Sequence, residues 1–375
     1  MVAIDALRIA LDGTPLLGHR TGVGEVTAGF MSALAARPDV SLCAYALTWR
    51  GRQHLSDAVP AGVTATTRPI PARVVRELWE RGAGRPRAED WTGPVDVVHA
   101  TNYVAPPANA PVVVTVHDVT FLRFPELCTP DTLRYPTLLA RAIARGATVH
   151  TPSEFVAAEV RAGFGVTANR VVAIHSGVPD VRGGDAAAGA GRAGGSRYVL
   201  ALGTVEPRKN LTTLVRAFDQ VATADRDLRL VLAGPAGWDS ARVQAAIDAS
   251  TARDRVVQLG FVDDDTRADL LAGATTFAYP SIYEGFGFPP LEAMQAGVPV
   301  VAGDAGSLPE VLGDAALLVA PEDVDGLAHA IAHLTSLAPA DPERTAIVER
   351  GRACAEQYQW STTGDQLVEL YRSLQ

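Results

Sequence analysis

The stretch Tyr198-Val-Leu-Ala-Leu-Gly-Thr-Val-Glu-Pro-Arg-Lys-Asn-Leu211 reads as strand, turn and helix start. Tyr198–Leu202 is apolar at every position, so neither face of that strand can meet water. Gly203 allows a turn, and a helix is expected near Asn210–Leu211. Strands buried on both faces belong to parallel sheets covered by helices. Arg208 and Lys209 stand beside the helix start, where unpaired N–H groups and the helix dipole already favour an anion. Two adjacent cations there suit a diphosphate, the arginine as a fork and the lysine as a point charge. Taken alone, the pair reads equally well as two solvated charges on a loop.

The same unit recurs along the chain. Apolar runs at Leu7–Leu11, Val95–His99, Val112–Val116 and Val171–Ile174 each precede a turn and an amphipathic stretch, and so do Leu228–Leu232, Val256–Leu259, Thr276–Tyr279 and Val298–Val301. The class is therefore α/β. Between the halves, 11 of the 17 residues of Asp180–Ser196 are Gly or Ala, which reads as a linker. The expected domains are 1–180 and 197–360, joined by residues 181–196. Each is expected to be a doubly wound sheet, with a cleft between the two and chemistry on the loops after the strands.

Composition narrows the function. The 375 residues are 47% hydrophobic and 20% charged, which excludes a disordered, collagenous or coiled-coil chain. Asp5, Arg8 and Asp12 interrupt the N-terminal apolar run, unlike a signal peptide, and no stretch suits a spanning helix. Cys43, Cys128 and Cys354 are scattered, so the expected compartment is a reducing cytoplasm. Residues 1–180 hold 17 arginines against 16 acids, whereas residues 181–375 hold 16 basic against 26 acidic residues. The acidic second half argues against a nucleic-acid partner. Arg73, Arg76, Arg81, Arg85 and Arg87 cluster around Trp79, either as a solvated surface or as a peripheral contact with an anionic membrane. Lys209 is the only lysine in the chain.

Three further segments carry chemistry. In Tyr283-Glu-Gly-Phe-Gly-Phe-Pro-Pro-Leu-Glu292, Gly285 and Gly287 let the backbone approach a ligand, and Pro289 and Pro290 suit a first helical turn. Glu284 and Glu292 can then face one pocket above that helix, as partners for sugar or ribose hydroxyls. His117 and Asp118 end the buried run Val112–Val116, whereas His99 and His150 read as core histidines satisfied by one hydrogen bond each. Gly22 and Gly24, directly before a helix, form a second loop able to approach phosphate. Ser307-Leu-Pro-Glu310 reads as a helix capping box and hence as structure.

Together these segments resemble the retaining nucleotide-sugar glycosyltransferases of family 4, with the GT-B fold of two Rossmann-like doubly wound domains facing a central cleft. Pro207-Arg-Lys-Asn210, the Glu-x7-Glu of 284–292, His117-Asp118, the glycine loop at 22–24 and Leu259-Gly-Phe-Val262 carry the resemblance, and the closest likeness is to the mannosyltransferase-like branch. It implies an acceptor-binding N-terminal domain, a donor-binding C-terminal domain and a last helix, 361–375, crossing back onto the first. It also implies that Arg208 and Lys209, with Gly203, hold the donor diphosphate and that Glu292 holds the ribose. Glu284 and the N–H groups of Phe286 and Gly287 would hold the hexose, His117 and Asp118 would face the sugar, and Gly260, Phe261 and Val262 would touch the base. The donor would be a GDP- or UDP-sugar, with GDP-mannose the usual one, and the acceptor a glycan or a lipid-linked glycan. No cofactor or metal is expected, since no Asp-x-Asp stands at a strand end; Asp263–Asp265 opens a helix instead. One departure is Thr204, where many members have arginine. A UDP-sugar enzyme, a nucleotide-sugar epimerase of the same fold and a non-catalytic binding module remain alternatives.

Overall fold

The structure, a computed structural model, describes residues 6–18, 22–49, 51–69 and 71–375. The chain divides into two units, residues 1–177 with 358–375 and residues 178–357. In the first, β1 (Leu7–Asp12), β2 (Val40–Ala46), β3 (Thr64–Thr67), β4 (Val97–Ala100), β5 (Val112–Thr115), β6 (Thr148–Thr151) and β7 (Val171–Ala173) form a parallel sheet in the order β3-β2-β1-β4-β5-β6-β7. In the second, β8 (Tyr198–Leu202), β9 (Arg229–Ala233), β10 (Val256–Gly260), β11 (Thr276–Tyr279), β12 (Val300–Gly303) and β13 (Leu317–Val319) run β10-β9-β8-β11-β12-β13, again all parallel. Both are Rossmann-like α/β domains. Strand order reverses between β1 and β4 and between β8 and β11, and ligands of such sheets sit beyond the strand ends at those points. Every residue of β8 is buried, as its unbroken apolar run requires.

The Gly/Ala stretch expected as a linker is a helix. Ala186–Ala193 is capped by the Asp185 carboxylate, which accepts from Ala187 N at 2.8 Å, and ends at Gly194 in the left-handed region. Gly184 and Gly189 serve close packing, not flexibility. A Cβ on Gly189 would lie 2.2 Å from the Asp269 carbonyl oxygen, and one on Gly184 would lie 2.1 Å from that of Ala268, both in the helix Asp264–Gly273. Residues 181–196 therefore belong to the second unit, and the boundary falls between 177 and 178.

The last helix, Trp360–Ser373, packs within the first unit against the helix Gly22–Ala35. The Trp360 ring lies so close to Gly29 that a Cβ there would be 2.3 Å away. His99 and His150 are buried as expected, but each makes two hydrogen bonds. His150 Nε2 donates to the Ile174 carbonyl at 3.1 Å, which leaves His150 Nδ1 to accept from Thr115 Oγ1 at 2.9 Å. Thr115 Oγ1 then accepts from His99 Nε2 at 2.7 Å, and His99 Nδ1 accepts from Tyr371 Oη at 2.6 Å. Burial depresses both histidines, His150 to about 4, so neutral rings complete one directed chain from the last helix across β4, β5 and β6. Among the described residues no helix is long and apolar enough to cross a membrane.

Candidate active site

In the second unit the chain leaves β8 through Gly203 (φ 140°) into a tight turn, Pro207–Lys209, and enters the helix Leu211–Ala224. Asn210 links turn and helix at φ 55°. This backbone is unfavourable for most residues but tolerated by Asn. The Asn210 amide donates to the carbonyls of Pro280 (3.2 Å) and Pro321 (2.7 Å), tying the β8 loop to those after β11 and β13. Gly203 leaves room for the lysine stem: a Cβ there would stand 3.3 Å from Lys209 Cε.

Arg208, Lys209 and Glu284 meet in one buried cluster. Glu284 accepts from Arg208 Nη1 at 2.6 Å and from Lys209 Nζ at 2.7 Å, and Glu206 takes the other side of Arg208 at 2.6 Å. Lys209 Nζ also donates to Tyr279 Oη, at the end of β11, and sits 4.6 Å from that ring's centroid. Lys209 is 8% and Glu284 7% exposed. Burial alone would raise the Glu284 pKa, but the two cations outweigh it and bring it down to about 2. Burial and the neighbouring Arg208 lower that of Lys209, against the pull of Glu284 and Glu206. The four charges sum to zero around a strand end, so an anion arriving there finds cations already aligned by carboxylates.

The glycine-rich loop reaches Gly287 (φ 114°) before the helix Phe288–Gln295, whose first turn holds Pro289 and Pro290. Glu292 is buried one turn in and pairs with Arg267 of the neighbouring helix at 3.2 Å. Gly306 (φ 62°) presses against the loop from β12, so closely that a Cβ would lie 2.6 Å from Glu284 N. The expected capping box at Ser307 does not form: Ser307 makes no side-chain cap bond and sits in helical conformation. Its hydroxyl instead donates to the Phe286 carbonyl at 3.1 Å, and its N–H donates to the Glu284 carbonyl at 3.0 Å. Ser307 thus holds the site loop. Gly260 (φ 68°) ends β10, Phe261 beyond it is 59% exposed, and Asp263 caps the following helix as expected. Glu206, Tyr279, Arg267, Gly306 and Ser307 are the residues that sequence reasoning missed; only the Asp263–Asp265 helix start hinted at Arg267.

In the first unit His117 follows β5, half-buried, and its Nε2 donates to the Thr101 carbonyl at 2.8 Å. Burial lowers its pKa, leaving a neutral ring with Nδ1 as acceptor. Asp118 turns back on its own chain, accepting from Thr120 N at 2.9 Å, and its N–H donates to Tyr103 Oη at 3.1 Å. Gly22 and Gly24 are not a loop before a helix: the helix starts at Gly22, and both lie in its first turn. Residues 19–21 lie outside the described residues.

The arginine cluster is not a single basic surface. Arg81 pairs with Glu77 (2.7 Å), Arg85 with Asp90 (3.9 Å), and Arg87 donates to Asn109 (2.7 Å). Trp79 is fully buried, so it belongs to the core. Arg73 remains exposed, beside Val74 and Leu78.

Comparison with known proteins places this geometry. Residues 20–182 match the family profile "Glycosyltransferase Family 4", and residues 187–353 match "Glycosyl transferases group 1". The O-antigen chain mannosyltransferase B of Escherichia coli is 33% identical over 294 residues, covering 74% of each chain. The phosphatidyl-myo-inositol mannosyltransferase of Mycolicibacterium smegmatis is 34% identical over 182 residues, 48% of this chain and 45% of its own. Among solved structures, the Anabaena protein HepE in complex with UDP-glucose superposes with a TM-score of 0.72 at 20% identity, covering 98% of this chain and 100% of that one. WaaG, a glycosyltransferase involved in lipopolysaccharide biosynthesis, gives 0.72 at 17% identity over 97% of this chain and 99% of its own. The chain belongs to glycosyltransferase family 4 and is a glycosyltransferase of the GT-B fold.

Proposed function

We propose that the protein transfers mannose from GDP-mannose to a hydroxyl of a glycan or lipid-linked acceptor, with retention at C1. The buried cluster of Arg208, Lys209, Glu206 and Glu284 at the end of β8 is the observation that carries the donor assignment. In this reading the donor diphosphate lies against Arg208 and Lys209, which stabilise negative charge as the C1–O bond breaks. Glu292, fixed by Arg267, takes the ribose hydroxyls. Phe261 and the Gly260–Val262 backbone meet the base. Glu284, with the N–H groups of Phe286 and Gly287, orients the hexose, and His117 and Asp118 serve sugar binding, as the family resemblance implies. A carboxylate with a pKa of about 2 that already accepts from two cations is a weak nucleophile. That supports attack by the acceptor on the face the diphosphate leaves, with the leaving phosphate taking the proton.

The mannosyltransferases among the relatives favour mannose, and the HepE complex keeps a UDP-sugar as the second reading. A thermal-shift panel of GDP, UDP and their sugars separates the two, since a ligand at a hundred times its Kd adds about 2.7 kcal/mol. GDP and GDP-mannose should raise the Tm, and they should do so equally in excess EDTA, because fixed cations occupy the place a metal would take. A response to UDP-sugars alone would overturn the donor assignment, and a response abolished by EDTA would overturn metal independence. Arg73, Val74 and Leu78 further support a weak, salt-sensitive docking of this face on an anionic bilayer, weakened by the pairing of Arg81 and Arg85. Equal co-sedimentation with neutral and anionic vesicles would contradict it.

A further inference from the structure

Trp238, on the loop after β9, is 56% exposed, and among the described residues its ring meets no other aromatic ring and no cation. A lone apolar side chain in water needs no explanation; what sets this one apart is the backbone that presents it. Where the loop leaves the strand, Gly234 N donates to the Gly260 carbonyl of β10 at 2.7 Å. On its other side the loop is laced to the one after β8. Val205 N donates to the Pro235 carbonyl at 3.0 Å, and Asp239 N donates to the Val205 carbonyl at 3.2 Å. Gly237 lies so close to that loop that a Cβ would be 2.2 Å from the Val205 carbonyl oxygen and 3.1 Å from Thr204 Cγ2. Ser240 Oγ accepts from Gly237 N at 3.0 Å and donates to the Gly237 carbonyl at 2.7 Å. The Asp239 side chain, on the far side of the tryptophan, is buried. The residues before and after Trp238 are thus fixed while its indole is left in solvent. Folding gains little from that ring, whereas a ligand covering it would gain its apolar area.

The place of the loop decides which part of a ligand would meet it. In the second sheet β9 lies between β10 and β8. β10 ends at Gly260, with Phe261 beyond it, and the turn after β8 carries Arg208 and Lys209. A nucleoside diphosphate with its base on the first and its diphosphate on the second therefore passes the end of β9. An indole held there offers a flat apolar face to any base, since every base has a π face. A ring on a fixed backbone, with two side-chain torsions to settle, loses little freedom on binding.

We infer that Trp238 stacks on the nucleotide base of the donor and so helps to set the affinity for the nucleoside. The inference rests on the proposed donor reading for the course of the nucleotide along the sheet edge. It is tested by calorimetry with GDP, UDP and inorganic pyrophosphate, the last of which has no base. The proteins are wild type, Trp238→Ala, Trp238→Phe and Trp49→Phe, with the Tm of each recorded to show that it folds. Trp238→Ala should bind GDP about tenfold more weakly than wild type, or weaker still. Trp238→Phe, which keeps a smaller ring, should lie between the two, and pyrophosphate should bind all four proteins alike. Trp49→Phe, which alters the other largely exposed tryptophan of the described residues, should match wild type throughout. GDP bound by Trp238→Ala as tightly as by wild type would overturn the inference and leave the donor reading intact. Equal weakening of GDP and pyrophosphate would also overturn it, since Trp238 would then be a prop for the loop after β8. UDP bound in place of GDP, and about tenfold more weakly by Trp238→Ala, would sink the guanine assignment and leave the stacking residue standing.

Discussion

Glu284 carries a structural duty and, in the proposed reading, a functional one in the same carboxylate. It neutralises the buried Lys209 and the half-buried Arg208, so replacing it by glutamine leaves two neighbouring cations facing Glu206 alone. Removing one partner of such a cluster costs about 3 kcal/mol or more, and urea unfolding of Glu284→Gln should show a midpoint well below wild type. The pH dependence has a defined sign. The folded pKa, about 2, lies below the ordinary 4.5. Its contribution is therefore complete above 4.5 and is lost as pH falls from there toward 2. The midpoint difference between wild type and Glu284→Gln should shrink over that window; a constant difference would mean the carboxylate is not charged in the fold. At this scale Arg208, Lys209 and Glu284 were legible, because each sits in a local pattern of turn, glycine and helix start. Tyr279 was not: at the end of an apolar strand it reads as core, and only the fold brings it to Lys209.

Glycine shows why elements are harder to read than motifs. In Asp180–Ser196 the same composition serves a flexible tether or a helix laid tightly on its neighbour, and periodicity cannot separate Gly189, which faces Asp269 at 2.2 Å from a would-be Cβ, from Gly191, which faces open space. The structure makes opposite forecasts for the two. Gly191→Ala removes unfolded-state entropy in a helix interior and should stabilise by roughly 0.5–1 kcal/mol. Gly189→Ala forces the two helices apart and should destabilise. Paired thermal melts decide it, and a flexible linker would leave both variants at the wild-type Tm. Ser307 was misread for a related reason. Its spacing to Glu310 fits a capping box, but the backbone of the site loop offers its hydroxyl and N–H nearer partners. By contrast, nine of the thirteen strands were legible to within two residues, β8 most plainly because burial on both faces leaves no polar alternative, whereas β2, β3, β6 and β13 were not read.

At the scale of the molecule, the last helix completes the first domain, through Trp360 against Gly29 and Tyr371 at the head of the His99–Thr115–His150 chain. Tyr371→Phe leaves His99 Nδ1 buried without a donor, a loss of about 1–3 kcal/mol, and should lower the Tm without changing GDP affinity; an unchanged Tm would mean that the chain does not hold the helix. The second unit, the donor domain of the proposed reading, is the acidic half of the protein, yet Arg208 and Lys209, the only lysine of the chain, stand together at one strand end. The most direct test of this account is therefore the Kd for GDP, by calorimetry, in wild type and in Lys209→Ala. Loss of one charge-assisted phosphate contact predicts about ten- to a hundredfold weaker binding in the variant, and GDP bound equally tightly by both proteins would contradict it.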